Sequence, residues 1–287
     1  MSIDPAKHPD AALMAPIRRS NLALRIVSSL VLAPLAVGAA YLGGLVFLAF
    51  WMVAAFCVLW EWDTLVSAEE KRPVLTMGSV AIGGAVLLLA FGRTAAAIAL
   101  VALGMLGVAT LASKARRLWC VAGMLYAGAI LIAPVLLRQD AAFGFSAVIF
   151  VFTVVWSTDI AAYFIGRVFG GQKLMPRVSP NKTWSGAIGG AIGAVIGAMT
   201  FAYLTSLGHL GAIGILALAL SIASQAGDLL ESAIKRRFDA KDASGLIPGH
   251  GGVMDRVDGF VLAAVLAAAI GIARGGLDQP AQGLLVW

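Results

Sequence analysis

Six stretches of this 287-residue chain carry no Asp, Glu, Lys or Arg: residues 26–60, 73–92, 94–113, 118–137, 141–158 and 183–227. A helix rises about 1.5 Å per residue, so about 20 apolar residues cross about 30 Å of hydrocarbon. The stretches 73–92, 94–113 and 118–137 each suit one such helix. The stretch 26–60 is too long for one, and Gly43-Gly44 divides it into helices over about 22–41 and 45–65. The stretch 183–227 holds two more, parted by the turn signal Ser206-Leu207-Gly208-His209. With spans near 143–168 and 256–275 the expected total is nine. A water-soluble surface needs about 25% charged residues, and here only 13% are charged while 60% are hydrophobic. The expected fold is therefore an all-α polytopic membrane protein. Disordered, disulfide-framed secreted and soluble all-β folds are excluded, and the ten-residue alternation of a membrane β-barrel is missing.

The two cysteines, Cys57 and Cys120, sit inside apolar runs and form neither a metal spacing nor a disulfide framework. Residues 1–21 are polar, contain Pro5, Pro9 and Pro16, and read as a cytoplasmic N-terminal segment rather than a cleaved signal. Residues 22–140 then form five N-terminal spans. Residues 141–287 form four more, with two long cytoplasmic connections, and are expected to hold the catalytic region. This alternation puts 18 of the 21 basic residues on the cytoplasmic side and leaves Arg93, Arg138 and Arg274 on the other, as the positive-inside rule requires. The net charge of +6 is thus a cytoplasmic belt facing anionic lipid, and no nucleic-acid partner is expected. Glycines four apart on the seventh span (Gly186 and Gly190; Gly189, Gly193 and Gly197) read as close packing inside one bundle, with a homodimer interface as the alternative.

Charge inside such a chain is costly, so its position is informative. Glu61 and Asp63, at the end of the second span, read as anchoring and solvation. The C-terminal half is different. Asp228, Glu231, Ser232 and Lys235 are spaced i, i+3, i+4, i+7 and make one polar stripe where the eighth span emerges. A self-neutralising Asp228–Lys235 pair would explain the stripe equally well. A Gly- and Pro-rich segment follows, from Lys241-Asp242 to Gly251-Gly252, whose backbone N–H groups can face an anion. Asp255 and Asp258 open the ninth span on one face. With Asp228 alongside, they suit a hard divalent cation bound through oxygen. His250 reads as an acid/base or a phosphate donor. In the other connection, Ser179 and Thr183 bracket a helix start beside Lys182, an anion-binding arrangement that a simple capped helix also explains. Asp159 lies within the sixth span, about two turns before Arg167, with Tyr163 one turn away on the same face. Carboxylates, basic loops and apolar walls at one membrane face suggest phosphoryl or nucleotidyl transfer to a lipid phosphate.

The run Ser232, Lys235-Arg236, Lys241-Asp242, Pro248, His250-Gly251-Gly252, Asp255-Arg256 and Asp258 spans 27 residues. It resembles the signature of the phosphatidate cytidylyltransferases, also called CDP-diacylglycerol synthases. Asp159 to Tyr163, Gly166-Arg167, Ser179-Pro180-Asn181-Lys182-Thr183-Trp184 and Gly227-Asp228 resemble the family too. The likeness covers roughly residues 150–275, and the N-terminal half by hydropathy only. One departure is Ser185, where relatives often carry Glu or Gln.

The resemblance implies that CTP and phosphatidate give CDP-diacylglycerol and pyrophosphate. It also implies a need for Mg²⁺, assisted by a monovalent cation such as K⁺. Asp228, Asp255 and Asp258 are then expected at the metal, with Lys235 and His250 as further catalytic groups. Arg167, Ser179, Asn181, Lys182, Thr183, Ser232, Arg236, Lys241, Asp242, Gly251, Gly252 and Arg256 are expected around the phosphates, with Asp159, Tyr163 and Glu231 as further candidates. The expected setting is a bacterial inner membrane with the active site facing the cytoplasm. The competing expectations are a CTP-dependent lipid kinase and a secondary transporter using Asp159 and Asp228 for ion coupling.

Overall fold

The computed structural model describes residues 30–66, 71–247 and 251–287; the expected segment 1–21 and the start of the first expected span lie outside them. The helices are α1 (Leu30–Leu42), α2 (Gly44–Val66), α3 (Lys71–Ala90), α4 (Thr94–Leu111), α5 (Arg117–Gln139), α6 (Gly144–Phe169), α7 (Trp184–Leu204), α8 (Leu210–Arg237), α9 (Met254–Gly275) and α10 (Pro280–Leu285). Each of α2 to α9 is long and apolar enough to cross a membrane, and α1 is the described part of the first expected span. The chain is an all-α polytopic membrane protein. The break at Gly43-Gly44 is where it was expected, with Gly43 at φ +64°, a conformation that costs glycine little. The turn between α7 and α8 holds Ser206 and His209 at φ +56° and +55°.

Two elements have no counterpart in the sequence reading. A β-hairpin, β1 (Lys173–Met175) and β2 (Ser179–Thr183), joins α6 to α7, with Lys173 opposite Thr183 and Met175 opposite Ser179. Pro176 and Pro180 explain why this stretch is not helical. Ser179 therefore lies in a strand, and α7 starts only after Thr183. The second element is α10, which folds back on α9 where Gly271 and Gly275 meet Pro280 and Gly283. Arg274 holds it by donating to the carbonyls of Gly283 and Val286 while stacking on Trp287, 3.7 Å from the ring centroid.

α5 is the axial helix. In its most apolar window 72% of residues are buried, against 28% in α4 and α7, and it packs on α2, α4, α6 and α9. Trp62 of α2 fixes one side by donating to Trp119 O at 2.8 Å, its ring 5.4 Å from that of Tyr126. Trp51 of α2 stacks on Phe260 of α9 at 4.9 Å. These contacts bring the end of α2 to the start of α9. The glycine stripe of α7 faces α6, where Gly186, Gly190, Gly193 and Gly197 meet Ala162, Thr158, Ala161 and Ser157. The seam is packing within one bundle.

Candidate functional site

α8 has 28 residues and so runs about 42 Å, longer than the hydrocarbon of a bilayer. Its first 18 residues, Leu210 to Gly227, are uncharged, about 27 Å of apolar helix before the polar stripe begins. The ends of α2, α6 and α8 and the starts of α7 and α9 share that level.

The stripe does not neutralise itself as an Asp228–Lys235 pair. Asp228 pairs instead with Lys182 of β2, and Ser232 Oγ is 3.4 Å from its other oxygen. Lys235 turns inward, 2.7 Å from Glu231 Oε2 and 2.5 Å from Asp255 Oδ1. Glu231 is 1% exposed, and its Oε1 has no hydrogen-bond partner among the described residues. A buried charge of this kind survives only beside an opposite one, which Lys235 supplies.

Asp255 and Asp258 share a helix face but serve different neighbours. Asp255 is buried, and its Oδ2 accepts from Ala243 N at 2.9 Å and Gly252 N at 2.7 Å. With Lys235 on Oδ1, both of its oxygens are taken. Asp258 lies instead in electrostatic reach of Asp228 and Asp159, with Arg256 nearby. Asp159, Asp228 and Asp258, on α6, α8 and α9, are thus within electrostatic reach of one another, with Lys182 and Arg256 also near Asp159. Among the described residues no three acidic, His or Cys side chains are grouped closely enough to enclose a metal by themselves.

A glycine makes the convergence possible. A Cβ on Gly227 would sit 2.5 Å from Asp258 O, and one on Gly259 would meet Ser224. α8 and α9 touch backbone to backbone one residue from Asp228. Gly227→Ala is expected to cost about 1–3 kcal/mol of stability by overpacking and to lower turnover, because the helices must part. Denaturation in detergent and initial rates on the same preparation check both.

The other expected residues take varied places. Thr183 is the N-cap of α7 and accepts from Gly186 N at 3.1 Å. Ser185, the departure noted above, donates to Gly170 O and lies 3.0 Å from Thr183 Oγ1, so it braces the α6–α7 junction. Arg167 donates to Tyr163 Oη at 2.7 Å on the exposed side of α6, and among the described residues no hydrogen bond or ion pair ties this pair to the carboxylates. Asn181, Arg236, Lys241, Asp242 and Arg256 are exposed, with Arg236 donating to Ala240 O. Gly251 pairs with Ile247 across the loop. His250 lies outside the described residues.

Two side chains from the N-terminal half reach this region. Glu61, read from sequence as solvated, is 0% exposed and accepts three hydrogen bonds from the loop and the start of α9. Asp63, 3% exposed, is not solvated either. Tyr126 of α5 lies in electrostatic reach of Asp258, Glu231, Asp228 and Asp255, and its hydroxyl has no hydrogen-bond partner among the described residues. A carboxylate after an aromatic-rich span was the one available signal for Glu61. Nothing in the sequence separated Tyr126 from a packing residue.

A family model described as "Cytidylyltransferase family" matches residues 23–272. The match extends well into the N-terminal half, beyond the residues that carry the motifs. Over 268 residues the chain is 44% identical to a protein of Brucella suis biovar 1 (strain 1330) named "Phosphatidate cytidylyltransferase", covering 91% of this chain and 97% of that relative. A protein of the same name from Pseudomonas aeruginosa is 38% identical over 272 residues, covering 88% and 97%. One from Bacillus subtilis (strain 168) is 39% identical over 121 residues, covering 42% and 45%.

Proposed function

The chain belongs to the cytidylyltransferase family, and from that premise we propose that the site described above transfers a cytidylyl group from CTP to phosphatidate, giving CDP-diacylglycerol and pyrophosphate. The observation that carries the placement is the Lys182–Asp228 ion pair, which ties β2 to α8, with Asp159 and Asp258 on two further helices within electrostatic reach of Asp228. A lipid phosphate reaches that level without its acyl chains leaving hydrocarbon. A water-borne triphosphate meets it from the cytoplasm, the side that the basic residues favour.

The donor set suits Mg²⁺. These carboxylates are hard oxygen donors, and Asp228, 29% exposed, is open to solvent. Mg²⁺ is commonly held by one or two carboxylates with water and substrate phosphates completing the shell. Asp228 and Asp258 would hold it. Asp255, whose oxygens are already engaged, positions the loop instead. When bound, the ion supplies charge neutralisation on the transferring phosphate.

Lys182, Arg256 and the exposed Arg236 and Lys241 bind and orient the triphosphate. A phosphatidate oxygen, already anionic at neutral pH, attacks the α-phosphorus. The bond from that phosphorus to the α–β bridging oxygen breaks, and pyrophosphate leaves with the electron pair. Such a transfer depends on alignment and charge compensation more than on a strong base, so His250 is assigned a phosphate contact. Lys235 sits between two buried carboxylates, and its role is to hold them in place.

The test uses purified protein in detergent micelles with phosphatidate, Mg²⁺ and CTP labelled at either the α- or the γ-phosphate. Transfer of α-label to lipid with release of pyrophosphate is expected, together with loss of turnover in EDTA and recovery with added Mg²⁺. Transfer of γ-label to lipid with formation of CDP would overturn the reading in favour of a lipid kinase. Turnover unaffected by EDTA would remove the metal.

A further inference from the structure

Glu61 belongs to α2, far in sequence from the carboxylates and from the α8–α9 connection, yet it is the most heavily used acceptor at the neck of that connection, where residues 243–244 meet 252–253. Its Oε1 accepts from Ser244 Oγ at 2.6 Å and Val253 N at 2.8 Å, and its Oε2 accepts from Met254 N at 2.7 Å. The side chain is wholly buried. A Cβ on Gly252 would collide with this carboxylate, so the backbone is cut to fit around it.

Asp255 closes the same neck from the other side, through Ala243 N and Gly252 N. The two carboxylates therefore bind adjacent pairs: Ala243 and Ser244 on the outgoing strand of the loop, Gly252 and Val253 on the returning one. Beyond the neck, Ile247 N donates to Gly251 O at 2.8 Å. The donors from Val253 and Met254 are free N–H groups at the start of α9, where no intrahelical acceptor exists and negative charge is favoured.

We propose that Glu61 is a positioning residue for cytidylyl transfer: it latches the neck formed by residues 243–244 and 252–253 to the first turn of α9, and so sets Lys241 and Arg256 against Asp228 and Asp258. The inference rests on the cytidylyl-transfer reading. Lys241 and Asp242 lie just before the neck, Gly252 within it, Gly251 just beyond it, and Arg256 and Asp258 at the start of the helix that Glu61 caps. A slack neck moves these groups together; Lys241 and Arg256 among them are assigned to the triphosphate, and none is assigned to phosphatidate. The effect should therefore fall on CTP and spare phosphatidate.

Glutamine distinguishes a latch from mere bulk. Glu61→Gln keeps the shape but replaces one acceptor oxygen by an N–H₂ donor. In either amide orientation a backbone N–H, that of Val253 or of Met254, then faces another donor. The variant is to be purified as monodisperse protein in detergent and assayed per folded molecule, with CTP and phosphatidate varied separately and thermal unfolding followed on the same sample. The expected result is a fall in kcat/KM for CTP of about 10- to 100-fold, with KM for phosphatidate unchanged. Ser244→Ala removes a single donor and should shift the same parameter by about 2- to 5-fold.

A drop in unfolding temperature with both kinetic constants intact would mean that Glu61 only stabilises the fold, and would overturn the proposal. So would equal losses toward both substrates. If Glu61→Gln yields no folded protein, Ser244→Ala decides alone: a change confined to CTP upholds the latch, and no change overturns it. A wild-type enzyme that moves no CMP to phosphatidate would instead sink the reading of the reaction. An active wild type with an indifferent Glu61→Gln sinks the latch only.

Discussion

Asp228→Ala should leave a chain that inserts and folds but does not turn over. Asp228 is only half-buried and holds Lys182 and, at 3.4 Å, Ser232, so its removal frees a partly exposed lysine rather than a buried charge. The structural cost of losing such a pair is at most about 1 kcal/mol. The catalytic cost is larger. Stabilising charge on a transferring phosphoryl group with a held metal supplies several kcal/mol, so the expected loss is about 10³-fold or more. Membrane yield, unfolding and the rate of pyrophosphate release on one preparation separate the two effects. A variant within tenfold of wild type would remove Asp228 from the metal, and the proposed site with it.

Lys235→Met is the second large expected effect, and it works through stability as well as rate. Its ammonium, with the side chain 12% exposed, is the cation in contact with Glu231 and Asp255, whose side chains are 1% and 4% exposed. Removing one partner of a buried ion pair costs about 3–5 kcal/mol, because the remaining charge is left uncompensated. Adding Glu231→Gln removes one of the two stranded charges. The double variant should therefore recover a good part of the lost stability without recovering activity, since Asp255 and the loop neck still lack their cation. Recovery of turnover alongside stability would show that Lys235 matters to the fold only. No recovery of stability would show that Glu231 and Lys235 are not coupled.

Most of the architecture was legible along the chain. Charge-free runs of about 20 residues admit few solutions in a bilayer, because every backbone N–H and C=O must be satisfied within the segment. The break at Gly43-Gly44 and the turn at Ser206–His209 came from the same reasoning, since a bilayer-length rule divides a 35-residue run in two. The hairpin of β1 and β2 was not legible. Its strands are too short and polar to show a period, and Thr183 caps a helix equally well with or without a strand before it. α10 escaped for the same reason: six residues after a glycine pair carry no periodic signal.

The site divides along a similar line. Which residues to consider for the site could be read from one dimension, because charge is rare in this chain. Asp159, Asp228, Asp255, Asp258, Lys182 and Lys235 were all marked in that way. Which charge meets which was decided by tertiary structure alone. Asp228 and Lys235 fit one helix stripe, yet they turn to different partners, because β2 brings Lys182 to one and α9 brings Asp255 to the other. Asp255 and Asp258 sit three residues apart, yet one closes a loop and the other faces the carboxylate convergence. A carboxylate after an aromatic-rich span marked Glu61 but not its partners, since its donors lie more than 180 residues away and only the packing of α2 on α5 and α9 brings them together. Local composition reports the cost of burying a group, and that cost is paid or refunded by neighbours that only the folded chain selects.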